Sequence, residues 1–338
     1  MTGRRVGLGW ESFRRGAGAF AVDGFFRAAS NLGRLHPRAK PQHHGVERLA
    51  DIPYRAGGDR YHRLDIYRPR HAHGPLPVVF YVHGGGFRIL SKDTHYVMAL
   101  AFARAGYLVV NVDYRLAPRD PYPAAVQDCA EAYGWVLDHV ERHGGDPSRM
   151  AVAGESAGAN LVSALVAMCC YPRPEPWAEA VFRRDAVPRA WLPYCGLLQV
   201  TDCERFRRNK PTLSTFINDR LMEVPHAYLG ERPSIDTSLA DPLLMFEQAE
   251  PIRPLPPCFA TVGTADPLLD DTRRLGRALE ARGSLAEVRF YPGEIHAFHA
   301  FVWRKAARRC WRDTYRFLDE HLPARGGHRA PNPVHPGA

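Results

Sequence analysis

Residues 150–160 read MAVAGESAGAN, an apolar run that ends in one serine surrounded by glycine and alanine. Gly154-Glu155-Ser156-Ala157-Gly158 has the spacing G-x-S-x-G and falls between an expected strand, 150–154, and an expected helix running to about 170. In that setting the pattern has a mechanism, because a serine on a sharp strand-to-helix turn carries its hydroxyl out at the end of the sheet. Side chains two residues to either side would collide with the neighbouring strand and helix, so both positions call for glycine. The Ala157 amide opens the helix, where free N–H groups and the helix dipole favour an anionic oxygen. The chemistry this suggests is nucleophilic attack on a carbonyl.

A serine is a weak nucleophile without a base, and the oxyanion it generates needs donors. Donors are suggested by YVHGGGF (81–87), which directly follows the apolar run PVVFYV (77–82) and whose three glycines let backbone amides approach a substrate. Phosphate binding is the rival use of such a loop, but no Lys-Ser/Thr follows and no G-x-G-x-x-G is formed. For the base, FYPGEIHAFHAF (290–301) offers His296 and His299 beyond a late strand. For its carboxylate partner, TVGTADPLLDD (261–271) offers Asp266 nearest the strand end. Asp270 and Asp271 instead suit the first turn of the next helix. The order is then serine, aspartate, histidine.

The elements that must position these residues alternate. ERLADIPYR and YHRLDIYRP read as two strands joined by a turn at AGGD, and strands follow at 77–82, 107–112, 150–154, 188–195, 258–263 and 286–291. Helices are expected near 94–105, over 123–142 and to about 170, then near 268–282 and 301–321. Such alternation predicts an α/β fold with a mostly parallel sheet covered on both faces. Residues 200–250 break the pattern with an uneven helical stretch rich in charge, Phe, Met and Leu, the kind of insertion that covers a site. The first 45 residues carry Trp10, Phe13, Phe20 and Phe25 at helical spacing and read as lid or packed helices. The Pro/Gly/His-rich tail, 323–338, reads as disordered.

Of the net charge of +9, residues 1–40 contribute +6 through eight Lys/Arg against two acids, while the rest is nearly balanced. No nucleic-acid signature accompanies that terminus, so a solvated basic end is preferred to a nucleic-acid partner or a membrane anchor. No run of apolar residues suits a membrane span and the N-terminus lacks a secretory core. Seven scattered cysteines suggest reduced thiols and a cytoplasmic protein, with Cys169 and Cys170 as packing residues.

Taken together, LDIYRP (64–69), HGGGF (83–87), DYRLAPRDPYPAAVQDC (113–129), GESAG (154–158), ADPLL (240–244), GTADPLLDD (263–271) and YPGEIHAF (291–298) resemble the hormone-sensitive-lipase-like esterases, bacterial lipolytic family IV of the α/β-hydrolases. The resemblance implies an α/β-hydrolase domain over 46–322, with a helical cap built from 1–45 and the 200–250 insertion. It implies Ser156 as nucleophile, His296 as base, Asp266 as its partner, and the amides of Gly84, Gly85 and Ala157 as oxyanion hole. His83 would support the glycine loop, and Tyr114 and Arg115 would brace it. The implied reaction is hydrolysis of short- to medium-chain acyl esters of small molecules without metal or organic cofactor. Amide or N-acyl hydrolysis is the alternative, and a non-catalytic small-molecule receptor stands further off. Phe87, Phe206, Phe216, Leu221 and Met222 are the candidates to line a substrate pocket, with Phe246 either lining or core. The family also allows a homodimer. Two departures stand out: Glu155 where Asp is commoner, and Ala297 where Gly is usual.

Overall fold

The computed structural model describes residues 39–230 and 235–322, together with the isolated positions 24 and 28. The expected N-terminal cap helices and the expected disordered tail therefore lie, but for residues 24, 28 and 39–45, outside the described residues.

The strands are β1 (Val46–Pro53), β2 (Arg63–Pro69), β3 (Leu76–Val82), β4 (Leu108–Val112), β5 (Gly145–Glu155), β6 (Ala190–Tyr194), β7 (Cys258–Gly263) and β8 (Ala286–Tyr291). They form one sheet in the order β1-β2-β4-β3-β5-β6-β7-β8. The β1–β2 and β2–β4 pairs are antiparallel and every later pair is parallel. Each parallel pair needs a crossover, and these are helical: α1 (Tyr96–Arg104), α2 (Ala124–His139), α3 (Ala157–Cys170), α4 (Pro176–Arg183) and α8 (Leu269–Ala281). Helix α9 (Lys305–His321) follows β8.

The two faces of the sheet are both apolar, which is why the inner strands read as continuous hydrophobic runs. In β3, Val78, Phe80 and Val82 join the core formed with α2, α3, α4 and α8. Val79 and Tyr81 join the opposite core, formed with α1 and α9. Leu108 and Val110 against Val109, and Val152 against Ala151 and Ala153, repeat the two-residue alternation.

Between β6 and β7 the chain makes α5 (Glu204–Asn209), α6 (Thr215–Leu229) and α7 (Pro242–Gln248). Helix α5 is fixed to the sheet layer by Arg205, whose guanidinium meets the buried Asp271 carboxylate of α8 at 2.6 Å. Asp271 is thus a structural acid in the first turn of its helix, with the Leu198 amide as a further donor at 2.8 Å. Among the described residues no helix is long and apolar enough to cross a membrane. All seven cysteines are buried and free of disulfides, Cys169 and Cys170 packing in the core as expected.

Candidate active site

Five loops leave the carboxyl ends of β3, β5, β6, β7 and β8, the edge where open parallel sheets bind their ligands. Ser156 lies on the second of them. Its backbone has φ 54° and ψ −114°, outside the regions open to ordinary residues, and α3 begins at the next residue. The turn is possible because of its glycines. A Cβ on Gly154 would stand 2.4 Å from the Gly158 carbonyl oxygen, and one on Gly158 would stand 2.1 Å from that of Val82. The strand, the turn and the helix are packed closer than any side chain permits. The Ser156 amide donates to the Tyr194 carbonyl at 2.9 Å, which ties the turn to the end of β6.

Asp266 and His296 meet on the next two loops. His296 Nδ1 donates to Asp266 Oδ2 at 2.9 Å, and the other carboxylate oxygen accepts from the Leu268 amide at 2.8 Å. The aspartate side chain is fully buried, whereas that of His296 is 37% exposed. Burial works against a charged imidazole, but the Asp266 carboxylate and the neighbouring Cys195 together outweigh it and hold His296 well above its ordinary value of 6.5. The two loops are joined by the Thr264 amide to Tyr291, the Ala265 amide to Glu294 and the Gly293 amide to Thr264 Oγ1. Ala297, next to His296, sits in the left-handed region at φ 53°, which accounts for glycine being usual there.

His299 has a different partner. Its ring stacks on Tyr194 with centroids 4.8 Å apart, and Nε2 lies 3.0 Å from Glu155 Oε2, off good hydrogen-bond alignment. The other oxygen of Glu155 bonds His95 Nε2 at 2.8 Å. Burial would drive this carboxyl up, yet His95 and His299 together hold it well below the usual carboxylate range. The extra methylene of Glu155 is what lets one carboxylate reach both imidazoles. This cluster is not legible in the sequence, since His95 lies 60 residues away and joins no recognisable motif.

The glycine loop after β3 is braced from below. His83 Nδ1 donates to the Gly84 carbonyl at 2.7 Å, and its ring stacks on Tyr114 at 4.2 Å. The Tyr114 hydroxyl donates to the His83 carbonyl at 3.0 Å, while Arg115 clasps Asp128 through Nε and Nη2. Asp113 lies 3.6 Å from His83, and burial pushes its carboxyl up to about 7 although the Lys92 amide donates to it. Among the described residues the amides of Gly84, Gly85 and Ala157 have no protein acceptor. Gly85 has φ 117°, and a Cβ there would lie 2.1 Å from the Ile89 carbonyl oxygen.

Helix α6 rests on this loop. Phe87 is buried and stacks on Tyr228 with centroids 3.7 Å apart, and Arg88 pairs with Glu223 at 2.8 Å. Leu221 is buried, Met222 is half-buried, and Phe216 is 56% exposed beneath the Arg220 guanidinium. Phe206 is buried under Arg205. Phe246 is a core residue, packed on Trp191 with ring centroids 5.1 Å apart. Met222 also lines a cleft of about 470 Å³ with Glu204, Arg207, Arg208, Asn218 and His226. Asp241, in ADPLL, accepts from the amides of Val200 and Thr201 and so closes the base of the α5–α7 segment.

One further residue was not singled out from the sequence. Cys195, directly after β6, has φ 40° and is buried, and single donor atoms of Cys195, Asp266 and His296 all lie within 4.8 Å of one another. Burial raises its thiol above the ordinary value, so it is protonated near neutrality.

The sheet order, the strained serine turn and the paired aspartate and histidine define an α/β-hydrolase arrangement. A family described as alpha/beta hydrolase fold matches residues 79–300. The chain is 34% identical over 263 residues to the carboxylesterase NlhH of Mycobacterium tuberculosis, covering 76% of this chain and 74% of that protein. Among solved structures, the esterase LipW of Mycobacterium marinum superposes with a TM-score of 0.72 at 26% identity, over 90% of each chain. An esterase of the bacterial hormone-sensitive lipase family superposes at 0.65 and 30% identity, over 82% of this chain and 85% of that one. The chain belongs to the α/β-hydrolase family, among its hormone-sensitive-lipase-like carboxylesterases.

Proposed function

We propose that this protein is a serine carboxylesterase acting on short- to medium-chain acyl esters through Ser156, Asp266 and His296. The observation that carries the reading is the 2.9 Å bond from His296 Nδ1 to the buried Asp266, which leaves Nε2 as the acceptor. A non-catalytic receptor has no use for that pairing. His296 takes the proton of Ser156 as Oγ attacks the ester carbonyl, and the oxyanion is held by the amides of Gly84, Gly85 and Ala157. The imidazolium, stabilised by Asp266, then protonates the leaving alcohol. Water repeats the sequence on the acyl-enzyme and regenerates the serine.

Residues 200–250 act as a cap over this centre. Preference for small acyl groups follows from how closely α6 lies on the glycine loop, where a Cβ on Gly86 would stand 3.3 Å from Val224 Cγ2. Leu221 and Met222, on the same helix, border the acyl site, with Phe87 supporting them through its stack on Tyr228.

The test is hydrolysis of p-nitrophenyl esters from acetate to palmitate, with Ser156→Ala alongside. The expected result is a maximum among the short and medium esters and loss of turnover in the variant. Undiminished turnover by Ser156→Ala, or a maximum at palmitate, would overturn it.

A further inference from the structure

Cys195 has no step in acyl transfer, yet it stands against the two residues that make up the base. The three donor atoms within 4.8 Å of one another are a sulfur, an imidazole nitrogen and a carboxylate oxygen. That mixed set suits a borderline-soft ion such as Zn2+ or Cd2+ and is poor for Mg2+ or Ca2+. Donors on a tetrahedral zinc with ordinary bond lengths stand roughly 3.3–3.8 Å apart, so small side-chain rotations bring these three onto one ion.

The site is also held in place. Asp266 is fixed by the Leu268 amide, and the Cys195 amide is tied to the Thr261 carbonyl at 2.7 Å. A non-glycine residue at φ 40° is strained by about 1–3 kcal/mol, and the thiol it carries lies within reach of the Asp266 and His296 donor atoms. Cys195 and Asp266 are buried, while the partly exposed His296 gives an ion its way in.

We propose that Cys195, Asp266 and His296 form an inhibitory site for a thiophilic divalent cation. The inhibition rests on His296 being the catalytic base. On binding, the Cys195 thiol gives its proton to solvent and one ring nitrogen of His296 gives its lone pair to the metal. If that nitrogen is Nε2, the acceptor for the serine proton is occupied. If it is Nδ1, the ring proton moves to Nε2, and the acceptor is lost again. The thiol releases one proton, the imidazole releases a second wherever it starts protonated, and in either case Ser156 is left without a base.

The test uses the full chain after EDTA treatment. Cd2+ binding is followed by the ultraviolet thiolate-to-cadmium band and by equilibrium dialysis, and Zn2+ is titrated against p-nitrophenyl acetate hydrolysis. The wild type should bind one Cd2+ with that band and lose activity to Zn2+, with recovery on adding EDTA. Cys195→Ala and Cys195→Ser should lose the band and, each measured against its own metal-free rate, need at least about tenfold more Zn2+ for half inhibition, since even indirect partners of a metal are worth that much. A wild type without the band, or variants inhibited at the same Zn2+ concentration, would overturn the site. The cadmium band reads binding without turnover. A Ser156→Ala protein that stayed active would therefore refute the catalytic reading while leaving the metal site to be judged on the band.

Discussion

Replacing Glu155 by aspartate, the residue commoner in the family, should destabilise this particular chain. Its carboxylate spans His95 Nε2 at 2.8 Å and His299 Nε2 at 3.0 Å. Removing one methylene withdraws the carboxylate by about 1.5 Å, one C–C bond length, so it can hold one imidazole but not both. The lost charge-assisted contact is worth about 1.5–3 kcal/mol, and the vacated methylene about 0.8 kcal/mol more. Together the loss is about 2–4 kcal/mol. With a urea dependence of about 3 kcal/mol/M for a chain of this size, the midpoint of unfolding should fall by roughly 0.7–1.3 M. Tryptophan fluorescence can follow the transition near neutral pH. The sign with pH is fixed by the depressed Glu155 carboxyl: its contribution is complete above its ordinary value of 4.5 and fades as pH falls through the lower folded value. The gap between the two proteins should therefore narrow in acid. A Glu155→Asp midpoint within 0.2 M of wild type (roughly the precision of such a fit) would refute the claim that one carboxylate secures both histidines.

Asp266→Asn should lower kcat by roughly ten-thousandfold, as expected when a base loses its tautomer-fixing partner. Because Asp266 raises His296 above 6.5 and the neutral imidazole is the active form, wild-type kcat/KM should decline below a limb above pH 6.5. In the variant that limb should move to lower pH, and a pH–rate profile decides the matter. Gly85→Ala forces a Cβ to 2.1 Å from the Ile89 carbonyl and shifts an oxyanion donor. It should cost about a hundred- to a thousandfold in kcat with little change in KM, and a raised KM with kcat unchanged would point to a binding role instead.

The parts of this protein legible in its sequence are those set by local pattern. The apolar run at 258–263 coincides with β7, because a parallel strand buried on both faces is apolar nearly throughout, whereas β8 at the sheet edge carries Glu287 and Arg289 and is legible from its alternation instead. Strand β5 begins at Gly145, well before the apolar run at Met150. Its polar start pairs with Leu76 and Pro77 at the sheet margin, where no hydrophobic signal is required. Helix α4 is not legible in the sequence because, although amphipathic, its eight residues span only about two turns, too few for a helical repeat to stand out. In the site, the serine turn and the glycine loop announce themselves because their geometry demands glycine. Spacing alone leaves His296 and His299 open as the base; in the fold Asp266 meets the first and Glu155 the second, which is what favours His296 in the proposed mechanism. The partners of Glu155 and the place of Cys195 depend on side chains brought together from distant loops, which no local pattern records.

The measurement that tests the central claim most directly is covalent labelling by diethyl p-nitrophenyl phosphate, read by intact mass and peptide mapping. A serine activated by His296 should take up one diethylphosphoryl group on the peptide containing Ser156, in step with loss of esterase activity, and Ser156→Ala should take up none. Complete inactivation with Ser156 unmodified, or a label on another residue, would contradict the account.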